Sequence, residues 1–406
     1  MNMTVGVCGP IDLKSLDWDL KHDNLPDTNA FPLTSHLINA LLKRGYKVIG
    51  YTNSPVLQKS QILESGNLKI CIATTRPKPG RRFFNFEIEE LRKLIVANPA
   101  DIITALWTYE YAWAALKTHV PTVVNIHDNA FQILRNQPDL FRFVRWLMNA
   151  MAVNKAKNLV ANSNYTYSLL SRFEKRKTIT INNFYTPDIE TISQQVTTKG
   201  NYIVSVVMGF TERKNIQGSL QAFAKVRARF PDVEYHLVGV EMEENGQAHQ
   251  YALQNNIADG VRFIGALPFE EVVLQTAGAK VLLHPSYEES FGMAVLEAMV
   301  AGTPVVAGEN SGFIPELLEN GKSGLLCDIT SPDAMAACVI KLLENDNLRE
   351  DLAQNARKYA RANFSEEVVV AKHLSLFNQI LGLNQEPELH REPFEPNTES
   401  EKRLSA

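Results

Sequence analysis

The chain reads as an α/β protein of two doubly wound domains, each a mostly parallel sheet covered by helices. Three observations lead there. Short Val/Ile-rich runs alternate with segments of helical period along most of the length, the pattern left by buried parallel strands and their crossovers. A polar stretch without periodicity, residues 190–200, splits that alternation into two similar halves. The 406 residues, 45% hydrophobic and 21% charged, suffice for two packed cores of ordinary composition.

In the first half, strands are expected near residues 4–9, 47–52, 68–73, 101–106, 122–127 and 158–163. A helix is expected over 32–44, where the apolar period of Leu33, Leu37, Ile38 and Leu41 runs into Gly45 as a stop. Alternation restarts with strands near 202–207, 234–239, 261–265, 279–284, 304–307 and 324–327, followed by helices near 332–345, 347–363 and 366–382. From about 384 the chain is rich in Pro and Glu and poor in apolar residues, the composition of a disordered tail. The expected organisation is one domain over 1–192, a second over 200–365, a closing helix over 366–383 and a tail over 384–406.

Composition narrows the function class. No run of about 18 apolar residues occurs and the start has no basic, then apolar, leader, so membrane spanning and export are not expected. Cys8, Cys71, Cys327 and Cys338 are too scattered for a disulfide framework or a zinc site; a cytoplasmic protein is the expectation. The net charge of −4 hides an asymmetry: residues 1–190 carry 23 basic and 16 acidic side chains, residues 191–406 carry 18 and 29. The acidic balance argues against a nucleic-acid partner.

The most informative stretch runs from Ser290 to Gly308, where Glu297 is the one charged residue in an apolar sequence. A lone carboxylate there needs a partner. The segment has helix signals, with Ser290 as N-cap and Gly302 followed by Pro304 as the stop. Glu289 stands eight residues earlier, beside the helix start. Unpaired amides from Ser290 through Phe291 and Gly292 to Met293 favour a phosphate there, and Gly292 lets it approach. Carboxylates accept hydrogen bonds from sugar hydroxyls, and eight helical residues would set the two Glu about 12 Å apart. A sugar, a diphosphate and a ribose in a row match that span.

Glu289-x7-Glu297, in the run from His284 to Met299 and followed by Gly302-Thr-Pro and Gly312-Phe-Ile-Pro-Glu-Leu, resembles the donor-site signature of family 4 of the retaining glycosyltransferases. The resemblance implies the GT-B fold, with two Rossmann-like domains facing across a cleft. It also implies transfer of a hexosyl group from a nucleotide-diphosphate sugar to a hydroxyl acceptor, with retention and without a metal cofactor. The 1–192 domain would then bind the acceptor, the 200–365 domain the donor, and the 366–383 helix would cross back to the first domain. Glu297 would hold the ribose and Glu289 the transferred sugar.

Other residues gain meaning beside this. Arg213 and Lys214 follow the strand beginning at Tyr202, at the sheet edge where ligands bind, and would neutralise a diphosphate. In the family an Arg directly follows the glycine; here Phe210 follows Gly209, so Lys214 carries over and Arg213 is its substitute partner. His127 and Asp128 end another strand, and the resemblance implies that His127 hydrogen-bonds the transferred hexose while Asp128 orients it or holds the loop. The loop after the first strand, residues 9–30, lacks the family's Gly-Gly pair. Asp17-Trp18-Asp19 resembles the acidic metal motif of a different fold and reads as a chance match. Two basic aromatic stretches, 76–84 and 140–148, suit an anionic membrane surface or a surface loop and a packed helix alike. A sugar-nucleotide epimerase and a non-catalytic donor-binding subunit remain alternatives to the transferase.

Overall fold

The structure is a computed structural model that describes residues 3–17 and 25–383. The first sheet comprises β1 (Thr4–Cys8), β2 (Lys47–Ser54), β3 (Gln61–Ser65), β4 (Leu68–Thr74), β5 (Ile102–Leu106), β6 (Thr122–Ile126), β7 (Asn158–Ala161) and β8 (Thr178–Thr180). Its order is β3-β4-β2-β1-β5-β6-β7-β8. The second sheet has β9 (Tyr202–Val206), β10 (Glu234–Val238), β11 (Val261–Gly265), β12 (Val281–His284), β13 (Val305–Gly308) and β14 (Leu325–Cys327), in order β11-β10-β9-β12-β13-β14. Apart from the edge strands β3 and β8, both sheets follow the same doubly wound order. Each therefore has one switch point: between β1 and β5 in the first, between β9 and β12 in the second.

Burial explains the strand composition. β5 and β6 are buried at every residue, as are β12 and β13, because helices cover both faces of a parallel sheet. The exception is β3, paired antiparallel to β4 through a turn at Gly66, whose φ is +56°. Sequence patterning does not reveal this edge strand, since only Leu63 of its five residues is buried.

The segment read from sequence as a linker begins as a helix, Asp188–Ser193. Its Ile189 is buried in the second domain's core beside Val273, Ala277 and Phe364, with Ile192 and Val196 partly buried against it; three apolar residues in a polar stretch are too few to show a helical period. The last described helix, Glu366–Leu381, packs against Pro32–Lys43 of the first domain. It inserts Val369, Val370, Leu376 and Phe377 among Leu37, Ile38 and Leu41, and Glu366 pairs with Arg44 at 3.0 Å. Removing a ring as buried as Phe377 costs about 3–5 kcal/mol. The tail from 384 onward, and Trp18 and Asp19 of the acidic motif, lie outside the described residues. Asp17 itself pairs with Lys43 at 3.3 Å on the surface.

Candidate active site

The second sheet's switch point brings two loops together, one leaving β9 and one leaving β12. After β9 the chain turns at Gly209 (φ +84°), and the Phe210 amide donates to Glu241 Oε2 at 2.6 Å. A 3-10 turn over Glu212–Lys214 ends at Asn215, whose left-handed backbone is held by its side chain donating to the Ile329 carbonyl at 2.8 Å. The loop leaving β12 zips onto this turn: the Tyr287 amide donates to the Arg213 carbonyl at 2.9 Å, and Arg213 Nη1 donates to the Glu288 carbonyl at 2.8 Å. A third loop supports the second, with the Phe313 amide donating to the Glu289 carbonyl at 3.0 Å. Gly312 is required there, because a Cβ would come within 2.2 Å of that carbonyl oxygen and its φ is +65°.

These contacts aim Lys214 at Glu289, with Nζ 2.5 Å from Oε1. Both side chains are largely buried, at 12% and 14% exposure. Burial works against the Glu289 charge, yet His284, with Nε2 3.4 Å from Oε1, and the Lys214 ammonium together hold the carboxyl well below the usual carboxylate range. Arg213 is less engaged: its guanidinium is 3.9 Å from Glu289 Oε2 and 44% exposed.

The helix expected after Ser290 spans Met293–Ala301. Ser290 is not its cap; Gly292 takes that position with φ +95°, and a Cβ on Gly292 would meet Ile314 Cδ1 at 2.4 Å. Only Met293 to Glu297 share the helical rise, so the 12 Å estimate between the two Glu does not apply. Ser290 uses its carbonyl to accept a 2.5 Å bond from Ser163 Oγ, and the Phe291 ring stacks on Phe313 in the core. The Val295 and Leu296 amides donate to the Gly292 carbonyl at 3.0 and 3.1 Å, which leaves those of Met293 and Ala294 without an intrahelical acceptor, as at any helix start. Gly302 ends the helix in a left-handed conformation, as its sequence predicts.

Glu297 lies one turn inside, half-buried. Among the described residues no side chain or amide satisfies its carboxylate, and burial pushes its pKa up to about 7. A carboxyl group held so, on a helix whose first turn carries free amides, is equipped to accept hydroxyl hydrogen bonds beside a bound anion.

From the first domain, His127 follows β6. Both its ring nitrogens are buried and have no partner among the described residues, and burial together with nearby His373 lowers its pKa to about 4. It lines a cavity of about 20 Å³ with Asn125, Asn162 and His373, enough for one water molecule. Asp128 accepts from the Tyr109 hydroxyl at 3.0 and 3.1 Å, and burial raises its pKa against that bond. Three side chains after β7 reach across to the second domain: Ser163 to Ser290, Asn164 to Glu316 at 2.6 Å, and Tyr165 to Glu288 at 2.8 Å. Sequence reasoning missed these three, and gave no role to His284 and Glu288. The His284 position inside the signature run was the one available signal; the cross-domain pairs, more than 120 residues apart, left none.

Comparison with known proteins bears on the fold and the family. The family described as Glycosyltransferase Family 4 matches residues 33–188, and that described as Glycosyl transferases group 1 matches residues 188–359. The N-acetyl-alpha-D-glucosaminyl L-malate synthase of Bacillus anthracis is 27% identical over 64% of this chain and 68% of its own. A D-inositol 3-phosphate glycosyltransferase of Corynebacterium urealyticum is 34% identical over 46% of each chain, so the match spans less than half of that relative's length. Sucrose-phosphate synthase from Thermosynechococcus elongatus superposes with a TM-score of 0.73 at 18% identity, covering 94% of this chain and all of that one. An Anabaena protein crystallised with UDP and glucose gives 0.67 at 19%, covering 93% and 100%. The likeness to solved structures establishes the architecture and the two adjoining family matches the lineage: this chain is a GT-B protein and belongs to family 4 of the glycosyltransferases.

Proposed function

We propose that the protein is a retaining glycosyltransferase that moves a hexosyl group from a nucleotide-diphosphate sugar to a hydroxyl acceptor without a metal ion. The observation that carries this is the Glu297 carboxyl, without a partner among the described residues, on the helix that begins four residues after Glu289, itself paired with Lys214 at the switch point. Glu297 accepts the ribose hydroxyls. The amides from Phe291 to Met293, with Lys214 and Arg213, take the diphosphate charge, acting as an oxyanion site does. Glu289 orients Lys214 and accepts a hydroxyl of the transferred sugar, and neutral His127 hydrogen-bonds the same sugar from the opposite wall. The acceptor oxygen bonds to the anomeric carbon as the bond to the leaving phosphate oxygen breaks. The acceptor proton passes to that phosphate on the same face, which retains configuration.

The Anabaena neighbour's UDP and glucose make UDP the first nucleotide to try. Melting temperatures with UDP, GDP and ADP, followed by product analysis with the matching sugar nucleotides in EDTA, test the reading. One base should shift the transition and its sugar should be transferred with α-configuration kept. Free nucleotide and an altered sugar without acceptor would instead identify an epimerase, and binding without turnover a donor-binding subunit.

A further inference from the structure

Three segments at the ligand edge of the first sheet form one face that the chain leaves uncovered. The turn over Pro79–Arg82 follows β4, and the helices Ala130–Asn136 and Leu140–Lys155 follow β6. They are packed on each other: a Cβ at Gly80 would strike the Phe141 ring, Phe84 lies 6.2 Å from Phe141, and Phe131 and Phe143 both lean on Trp146. The inner side of the long helix is fixed by Val144, Met148 and Ala152 in the core, by Arg145 paired with Glu110 at 2.8 Å, and by Trp113 Nε1 donating to the Met148 carbonyl.

Phe83 beside the turn, Phe131 and Ile133 on the short helix and Leu140, Phe141 and Phe143 on the long one are all exposed, with Leu140 at 79%. Scattered apolar residues need no explanation, but six large ones on adjoining segments do. The backbone holds Phe83 outward at an unfavourable φ of +51°, and Phe84 inward at +53°, a conformation bulky residues avoid. Lys78, Arg82 and Arg135 are exposed on the same segments, and Arg76 just before them is exposed with its guanidinium over the Phe86 ring. Asp139, the N-cap between the two helices, is the one acid over residues 130–155 and is paired with Arg142. Arg76, Lys78 and Arg82 border an open groove of about 640 Å³ with Phe83 at its wall. Aromatic and aliphatic side chains beside Arg and Lys match the interfacial layer of an anionic bilayer, apolar groups entering the acyl boundary and cations meeting the headgroups.

We propose that this face docks the protein peripherally on an anionic lipid surface. No helix among the described residues is long and apolar enough to cross a membrane. The Ala130–Asn136 helix starts two residues after Asp128, so docking sets the first-domain side of the cleft against the bilayer. A lipid-borne hydroxyl acceptor follows, and that consequence alone rests on the transferase reading.

Flotation with vesicles of equimolar phosphatidylglycerol and phosphatidylcholine, against pure phosphatidylcholine, tests the docking. The protein should float with the anionic vesicles and not the neutral ones, and lose binding as salt rises. Leu140→Ser with Phe141→Ser should weaken binding more than tenfold, and Arg82→Gln or Arg135→Gln about fivefold each. Nucleotide-induced melting shifts should be unchanged in all of them, which also shows that they fold. No flotation with anionic vesicles at low salt, unchanged flotation in the serine variant, or a dimer in sedimentation velocity that the same variant dissolves would overturn the proposal. Loss of nucleotide binding in the wild type would count against the donor site and leave the docking result standing.

Discussion

Lys214 and Glu289, 75 residues apart in the chain, form a single largely buried ion pair with 2.5 Å between nitrogen and oxygen. Each reaches the other because β9 and β12 are neighbours at the switch point, so the pair reports directly on the assembly of the second domain. Removing one partner of a buried pair leaves an uncompensated charge, which costs about 3–5 kcal/mol. Lys214→Met should therefore lower the denaturation midpoint sharply, while Lys214→Met combined with Glu289→Gln should recover much of the loss. Both should abolish transfer. Urea titrations of the two singles and the double give the coupling energy; additivity would mean that the pair is not formed in solution.

Glu297 carries a stability cost. Its pKa, raised from 4.5 to about 7, means that between these values the folded state keeps a proton the unfolded chain has released. Stability then falls as pH rises through that window, by up to about 3 kcal/mol. Glu297→Gln should flatten this dependence and raise the melting temperature at pH 8. The same change should weaken donor nucleotide binding about 10- to 100-fold, the worth of a charge-assisted hydrogen bond. Thermal scans and nucleotide titration at pH 5 and 8 check both signs.

His127 and His373 behave in the opposite sense. Burial lowers both from 6.5 to about 4, so the unfolded chain binds protons first as pH drops. Stability should decline from pH 6.5 toward 4, each His contributing about 3 kcal/mol. His373→Leu should leave a shallower acid limb in a plot of unfolding free energy against pH. Neutral His127 should add no ionisation between pH 5 and 8 to the rate profile.

Gly292→Ala tests the phosphate cradle. A Cβ meets the fully buried Ile314 at a backbone φ of +95°, so the substitution should cost more than about 1 kcal/mol and reduce nucleotide affinity. Unchanged affinity by calorimetry would show that the turn does not face the phosphates.

The ends of secondary structure were legible where local chemistry decides them. The Pro32 start, the Gly302 stop, and the 332–344 and 346–364 helices appear within a residue or two of their expected bounds. Glu297 stood out because a carboxylate in an apolar run has no local reason to be there. Ser290 misled because its side chain suits an N-cap, whereas its carbonyl is recruited by Ser163, 127 residues away. β3 and the Asp188–Ser193 helix were invisible for a different reason: β3 is held by its backbone ladder with β4 and buries only Leu63, and the short helix buries only Ile189, so neither leaves an apolar pattern. The loop at 9–30 lacks the expected glycines, yet Ile11, Leu13 and Leu16 from it are core residues, so there packing has replaced turn chemistry.

The closing helix has a consequence for biogenesis. The first domain's own strands end at Thr180, but Val369, Val370 and Phe377 complete its apolar core. At about 5–20 residues per second, a translating ribosome needs on the order of ten to forty seconds to supply them. During that interval the nascent first half displays an unfilled apolar seam along Leu37, Ile38 and Leu41, a surface for a holding chaperone. Half-chains split at the domain boundary should accordingly be recovered intact only when both halves are produced together.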